Sequence, residues 1–153
     1  MMKGVIMGIG ENVANLHEGF QIEIPSTFVP WIIKESVMFD LFNKKISKVT
    51  SGYYVLKNTV SLGGLKCNIG FHFNKTTETL RKIEFFREIK LPHAKSFEEF
   101  QTYFEKSYGK PSESNKGTEG FNDYIWDIGA DVKIFHNIFD RFGLEEHMYI
   151  EKT

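Results

Sequence analysis

Five histidines are the side chains best suited to acid–base or metal chemistry in this 153-residue sequence: His17, His72, His93, His136 and His147. Imidazole changes its charge near neutral pH and is the commonest protein ligand of metal ions. A turn at residues 140–143 would allow His136 and His147 to lie opposite each other in a β-hairpin. That register sets the apolar face of one strand against the polar face of the other, so we expect no metal site.

The register that keeps the apolar faces together pairs His136 with Glu146 instead. An imidazole beside a carboxylate is either a catalytic dyad or a buried hydrogen bond, and the sequence favours the hydrogen bond. The chain has no nucleophile elbow, phosphate-binding glycine motif or zinc-protease helix. Gly8-Ile9-Gly10 is only a fragment of such a glycine motif, and we expect it to lie in a loop. We therefore predict a protein without catalytic residues and without a cofactor.

Cys67 is the single cysteine, so the chain cannot form an internal disulfide. It lies in the segment 65–73, where apolar residues occupy the odd positions and polar residues the even positions. This alternation predicts a half-buried strand in which Cys67 is a small buried apolar residue rather than a nucleophile. His72 lies on the polar face of the same strand, where we expect solvent.

The distribution of charged residues along the chain indicates which class of partner the protein binds. The formal net charge is -1, which disfavours a general nucleic-acid binder. Residues 110–153 carry 5 basic and 9 acidic side chains, whereas residues 43–109 carry 12 basic and 6 acidic ones. This is either scatter over solvated faces or an acidic C-terminal surface that attracts a basic partner. The sequence has no apolar stretch long enough to span a bilayer and no secretion signal, so we expect a cytoplasmic protein without membrane contacts.

The hydrophobic pattern predicts one α+β domain over residues 1–153. The clearest element is a hairpin over residues 50–73, with Gly63-Gly64 as its turn. We predict that Val60 pairs with Cys67 and Leu56 with Phe71, because this register gathers the apolar side chains on one face. A third strand follows over residues 80–89.

One main helix is predicted over residues 97–108. Ser96 and Glu99 form a capping-box pattern, and Phe97, Phe100, Phe104 and Tyr108 follow at helical spacing. The polar segment 110–120 is predicted to be a loop. Residues 121–151 alternate like a three-stranded meander in which Trp126 faces Ile134 and Ile134 faces Met148.

The complete prediction is an antiparallel sheet of about six strands with the helix packed on one face. The sequence of the N-terminal third does not distinguish between helix and strand as clearly. Residues 20–24 alternate like a short strand ending at Pro25, and residues 26–42 fit either a helix capped by Ser26 or a pair of buried strands.

A candidate binding surface follows from the meander. If its even-numbered residues face the helix, the odd-numbered ones form an apolar and aromatic strip edged with carboxylates, which is typical of a protein interface. The residues assigned to partner binding are Ile125, Asp127, Asp131, Phe135, Tyr149 and Glu145. The alternative is that the N-terminal third covers this face as a second layer.

The order of elements resembles a known class of proteins. The helix with Ser96-Phe97-Glu98-Glu99-Phe100, then Tyr108-Gly109-Lys110-Pro111, then the aromatic and acidic strands of residues 124–150, is similar to the C-terminal half of small bacterial immunity proteins of polymorphic-toxin systems, of the contact-dependent inhibition or type VI-like kind. The resemblance covers roughly residues 50–151 and implies a cytoplasmic domain that binds and blocks one cognate toxin domain.

Two alternatives remain open. The chain is a small-ligand binder or an enzyme with a cavity between sheet and helix, for which His136, Glu146, Tyr124 and Trp126 are the candidate residues. Alternatively it is a subunit of a hetero-oligomer or a homodimer that uses the same strip for association.

Overall fold

The computed structural model describes residues 8–88 and 91–153 of the chain. Its β-strands form an eight-stranded antiparallel sheet and a separate two-stranded ribbon. The elements are α1 (Ile9–Leu16), β1 (Gly19–Ile22), β2 (Thr27–Pro30), a 3-10 turn (Glu35–Val37), α2 (Met38–Leu41), β3 (Ser47–Thr50), β4 (Tyr53–Ser61), β5 (Leu65–Phe73), β6 (Leu80–Phe86), α3 (His93–Tyr108), β7 (Glu113–Lys116), β8 (Asn122–Ile128), β9 (Val132–Asp140) and β10 (Leu144–Lys152).

The strand order in the large sheet is β3-β4-β5-β6-β10-β9-β8-β7. An α+β architecture with an antiparallel sheet and one main helix is thus confirmed, but the predicted number of about six strands is too small. The two additional strands, β3 and β7, form the edges of the sheet. Each has four residues, all of them exposed, so neither carries the apolar alternation that reveals a strand in a sequence.

The hairpin of β4 and β5 forms as predicted, but its register differs. Thr59 pairs with Cys67 near the turn, and Leu56 pairs with Ile69 beyond an irregularity in β4. Asn58 lies at this irregularity with φ of 57°, and its backbone N–H donates to the Asn68 side chain. Near the turn the register is shifted by one residue from the predicted pairing, which by itself would turn the apolar side chains of β4 to the other face. The extra residue in this bulge shifts the register by one more, so Leu56 and Tyr54 again lie on the apolar face.

Helix α3 begins at His93, one turn earlier than predicted, with Pro92 at its N-cap position. The predicted capping box is therefore wrong, because Ser96 lies inside the helix and its hydroxyl donates to Glu146 at 2.6 Å. The aromatic stripe is confirmed as core. Phe104 is 0% exposed and its ring contacts the rings of Phe85 and Trp126 across the sheet.

The N-terminal segment differs most from the predictions. Residues 9–16 form α1 where a loop was expected at Gly8-Ile9-Gly10. Residues 26–42 contain neither one long helix nor two long strands, but β2, a 3-10 turn and the single turn α2. The strand predicted over residues 80–89 ends at Phe86, and its last predicted residue, Ile89, lies outside the described residues.

The C-terminal meander forms as β8, β9 and β10, with the predicted turn between its last two strands. Trp126 pairs with Ile134, as predicted, but Ile134 pairs with Ile150 rather than with Met148. The error is two residues, so the apolar face is kept. The polar segment 110–120, predicted as a loop, contributes β7, which pairs with β8 and extends the sheet by one strand.

Both α3 and the described N-terminal elements pack on the same side of the large sheet, which we call the front face. Phe20 of β1 contacts Phe85, and Phe42, just after α2, contacts Phe71. The core therefore lies between this layer and the front face. Among the described helices, none has both the length and the apolar character needed to cross a membrane.

Candidate functional site

The opposite side of the large sheet, which we call the back face, carries the alternate side chains of β4 to β10. Strand pairing aligns Ile125, Phe135 and Tyr149 in one row, which we call the aromatic row, and Glu84 of β6 lies next to Tyr149 at its end. The rings of Phe135 and Tyr149 stack, with centroids 5.0 Å apart and planes 22° apart. These side chains are half-buried by one another, so the row presents an ordered apolar surface.

A second cluster of the back face joins β4, β5 and β6. His72 Nε2 lies 2.7 Å from Glu84 Oε1, and the His72 ring stacks on Tyr53. The hydrogen bond from His72 is the main cause that holds the pKa of the Glu84 carboxyl below its ordinary value, against the effect of burial. Burial, together with the charge of Glu84, raises the pKa of Tyr53 to about 12. The cluster is therefore an ordered polar group, built around the Glu84 carboxylate, at the end of the aromatic row.

Gly70 lies between these two side chains, at the centre of the back face. A Cβ at this position would lie 3.0 Å from the Tyr53 ring and 3.1 Å from Glu84. The missing side chain at Gly70 thus allows Tyr53 and Glu84 to lean over β5 and reach His72.

Carboxylates outnumber amines on the back face. The strand registers place on it the acidic residues Glu84, Glu113, Asp123, Asp127, Glu145 and Glu151, against the lysines Lys66, Lys82 and Lys133. Lys82 lies over the Tyr149 ring, with Nζ 5.0 Å from its centroid, and Lys133 is 3.4 Å from Asp127. The excess of carboxylates gives this face a negative potential that favours a basic partner.

Five of the six residues predicted for partner binding lie on the back face. Ile125, Phe135 and Tyr149 are adjacent in one row, whereas Asp127 and Glu145 lie on opposite sides of this row along the strand direction. Asp131 does not belong to this surface. It lies in the β8–β9 turn, where its carboxylate bonds His17 Nδ1 at 3.0 Å and Lys152 Nζ at 3.5 Å.

The sequence prediction missed the half of the back face that β4, β5 and β6 supply. His72 was expected to be solvated, but its side chain is only 20% exposed because Tyr53 and Glu84 enclose it. The signal was present in the alternation of β5, whose even-numbered residues must share a face. What the alternation does not contain is the strand order that brings β6 beside β10.

A buried polar cluster lies on the front face beneath α3. His136 Nε2 is 2.6 Å from Glu146 Oε2, and His136 Nδ1 is 2.8 Å from Gln101 Oε1. The side chains meet as predicted, although the strand partner of His136 is Met148 rather than Glu146. Phe97 stacks on the imidazole with a centroid distance of 4.0 Å, and His136 is 0% exposed. His147 points to the back face, so the two histidines cannot share an ion.

The contacts of this cluster bear on whether it could act as a catalytic site or line a ligand cavity. The Ser96 hydroxyl donates to Glu146 and not to His136, so the contact that activates a serine nucleophile is missing. Tyr124 and Trp126, the other candidates for a cavity between sheet and helix, contact each other, and Trp126 is buried and donates to the Gly109 carbonyl. Side chains fill the space between α3 and β8 at Trp126, but a groove of about 390 Å³ opens at Tyr124, with Phe97 and Gln101 of α3 among its lining residues. No group of three or more metal-binding side chains occurs among the described residues.

A groove of about 530 Å³ opens beside the cluster, between the start of α3 and the β9–β10 turn. Its walls include the rings of Phe85, Phe86, Phe100 and Phe142 and the charged side chains Arg87, Arg141, Glu145 and Glu146. Arg87 is held by Glu99 and by the Lys66 carbonyl.

Comparisons of this chain with protein-family models, with curated proteins and with solved structures find no match.

Proposed function

We propose that this chain is a non-enzymatic binding protein of the immunity type, which neutralises a toxin domain by holding it against the back face. One observation carries the proposal. The back face combines an ordered aromatic row with an excess of carboxylates, and the N-terminal elements that could have covered it pack on the front face instead. A large sheet face that none of the described elements covers is typical of a protein interface.

The charge of the surface indicates the class of partner. A domain with a basic surface, such as a toxin that acts on nucleic acid, is attracted by the carboxylates of the back face. The rings of Phe135 and Tyr149 then provide the desolvated centre of the contact, where most binding energy of protein interfaces is concentrated. Inhibition follows either from covering the active site of the toxin or from holding it in an inactive arrangement.

The experiment takes each candidate toxin domain that the genes next to that of this protein encode, and titrates the purified domain by calorimetry. We expect a dissociation constant below about 1 μM, and a loss of at least tenfold in affinity for the double variant Phe135→Ala/Tyr149→Ala. Ile32→Ala is the control, because Ile32 is 82% exposed and lies in the N-terminal segment, away from the back face. Absence of binding at micromolar concentration, or equal binding by the double variant, would overturn the proposal.

The two alternatives have their own discriminating measurements. The groove beside Glu146 is the observation that favours a small ligand, because it combines aromatic walls with charged groups. A ligand in this groove would lose affinity on Phe142→Ala and not on Phe135→Ala/Tyr149→Ala. Light scattering on the isolated protein separates a monomeric inhibitor from a homodimer that buries the back face against a second copy.

A further inference from the structure

A continuous chain of hydrogen bonds connects the surface of α3 with the buried imidazole. Lys110 Nζ donates to Glu105 Oε1 at 2.8 Å, and Gln101 Nε2 donates to Glu105 Oε2 at 2.7 Å. Gln101 Oε1 is 2.8 Å from His136 Nδ1, and His136 Nε2 is 2.6 Å from Glu146 Oε2. The direction of each bond in such a chain is set by the group at its end that can only accept.

Glu105 is that group. Burial raises the pKa of the Glu105 carboxyl, but the hydrogen bonds from Lys110 and Gln101 outweigh burial and hold it below its ordinary value. An ionised carboxylate only accepts, so Gln101 must turn its NH₂ group toward Glu105 and its carbonyl oxygen toward His136. A carbonyl oxygen also only accepts, and His136 must therefore carry a hydrogen on Nδ1.

With the hydrogen of the neutral His136 ring on Nδ1, no hydrogen is left for the contact between His136 Nε2 and Glu146 Oε2. A neutral imidazole with its hydrogen on Nδ1 presents a lone pair at Nε2. The Glu146 oxygen 2.6 Å away is also an acceptor when the carboxyl is ionised, and two lone pairs at this distance repel. The Ser96 hydroxyl donates to the other oxygen of Glu146, so it does not relieve the contact.

We propose that one proton is held between His136 Nε2 of β9 and Glu146 Oε2 of β10, where it bridges the two strands beneath α3. Burial lowers the pKa of the His136 imidazole, and the hydrogen bond and charge of Glu146 oppose this without reversing it. Because the two groups share one proton, the pair titrates as a unit rather than as two separate residues.

The surroundings of the pair contain few groups that compete for this proton. Besides Ser96 and Gln101, helix α3 presents the rings of Phe97 and Phe100 to the imidazole, and Tyr124 of β8 lies against Phe97. Glu146 also borders the groove, whose titratable and charged groups are His93, Arg87, Arg141 and Glu145. None of these four is hydrogen-bonded to Glu146 in the described part of the chain.

The proposal fixes the sign of a pH dependence. In the unfolded chain, above about pH 6.5, the ordinary pKa values leave no proton on either residue, whereas the native pair keeps one. Stability must then fall as pH rises above about 6.5, because the native state binds more protons than the unfolded state. A lowered pKa of His136 acting alone would give the opposite sign, with stability lost only on acidification below pH 6.5.

Two measurements test the inference on the intact protein. Nitrogen-15 NMR of the His136 ring should show a hydrogen on Nδ1 at pH 7, and a neutral ring with its hydrogen on Nε2 alone would overturn the proposal. Denaturant unfolding between pH 6 and pH 8 should show the unfolding constant rising, by up to about tenfold per pH unit, more steeply in the wild type than in Glu146→Gln. A glutamine amide donates to Nε2 permanently, so this variant needs no proton.

Glu98→Gln is the matched control, since Glu98 is an exposed residue of α3 that loses the same charge. We expect its pH dependence to parallel that of the wild type. Equal slopes for the wild type and Glu146→Gln would overturn the proposal. If Glu146→Gln fails to fold, Glu105→Gln replaces it, because an amide at residue 105 frees Gln101 to turn and should also flatten the slope.

Discussion

Tyr53 and His72 are direct partners on β4 and β5, and their rings stack with centroids 4.4 Å apart and planes 19° apart. The stack holds the imidazole toward β6, where Glu84 meets it. Three strands of the back face are thus linked through side chains as well as through the backbone. This cluster provides the rigid border of the aromatic row that we propose as the binding surface.

Replacing Glu84 by glutamine should weaken this cluster. The hydrogen bond from His72 holds the pKa of Glu84 below its ordinary value, so the native state favours the ionised carboxyl. This contribution to stability is complete above the ordinary pKa of about 4.3 and is lost as pH falls below it. We expect Glu84→Gln to lower the free energy of unfolding by about 1–2 kcal/mol at pH 7 and to flatten its decline between pH 5 and pH 3. Glu151→Gln, on the same face, serves as the control in denaturant titrations.

Phe104→Ala and Phe142→Ala should differ greatly in effect. Phe104 is 0% exposed and contacts Phe85, Tyr108 and Trp126, so its truncation leaves a cavity that costs about 3–5 kcal/mol. Phe142 is 102% exposed at the β9–β10 turn, and its truncation should change stability by less than about 0.5 kcal/mol. Urea unfolding of both variants checks this, and similar losses would show that the core is placed wrongly.

Two glycines in the N-terminal segment should respond in opposite directions to alanine. A Cβ at Gly19 would lie 2.2 Å from the Val29 carbonyl oxygen and 2.7 Å from the Pro30 Cα, so the β1–β2 ribbon must separate. We expect a loss of more than about 2 kcal/mol for Gly19→Ala. Gly10 lies in α1 with open space around it, and Gly10→Ala should stabilise by up to about 1 kcal/mol. Thermal unfolding of the two variants measures the contrast.

The thiol of Cys67 should be inert in the native protein. It is 7% exposed, and burial raises the pKa of Cys67 to about 12. Because the unfolded thiol ionises near pH 8.5, the native state keeps a proton that the unfolded state loses, and stability must fall as pH rises from about 8.5 toward 12. We expect Ellman's reagent to react only as fast as the protein unfolds, and Cys67→Ala to flatten the alkaline decline. Rapid reaction of the native thiol would contradict this.

The sequence was most informative where one face of a strand is apolar and the other polar. The alternation in residues 65–73 and in the meander identified the strands and their buried faces, because burying one face fixes the parity of every side chain. It did not fix the register. Thr59 and Ser61 are buried on the front face, and nothing in their side chains distinguishes them from the polar residues that face solvent.

Errors at Ser96 and in the N-terminal segment have a different origin. The capping-box pattern of Ser96 and Glu99 is local, whereas the actual partner of Ser96 is Glu146, fifty positions away in the chain. Tertiary contacts decided the role of this residue. In the same way, residues 26–42 form short elements that bury Val29, Trp31 and Met38, although their composition alone fits a helix equally well.

The position of β10 has a consequence for how this protein reaches its native state. The last strand of the sheet in sequence lies at its centre, with β3 to β6 on one side and β7 to β9 on the other. Until residues 144–152 emerge from the ribosome, the two halves have no strand to join them, and β6 and β9 remain open edges. We therefore expect the eight-stranded sheet to form only after residues 144–152 have been synthesised. In that step β10 pairs with β6 on one side and with β9 on the other.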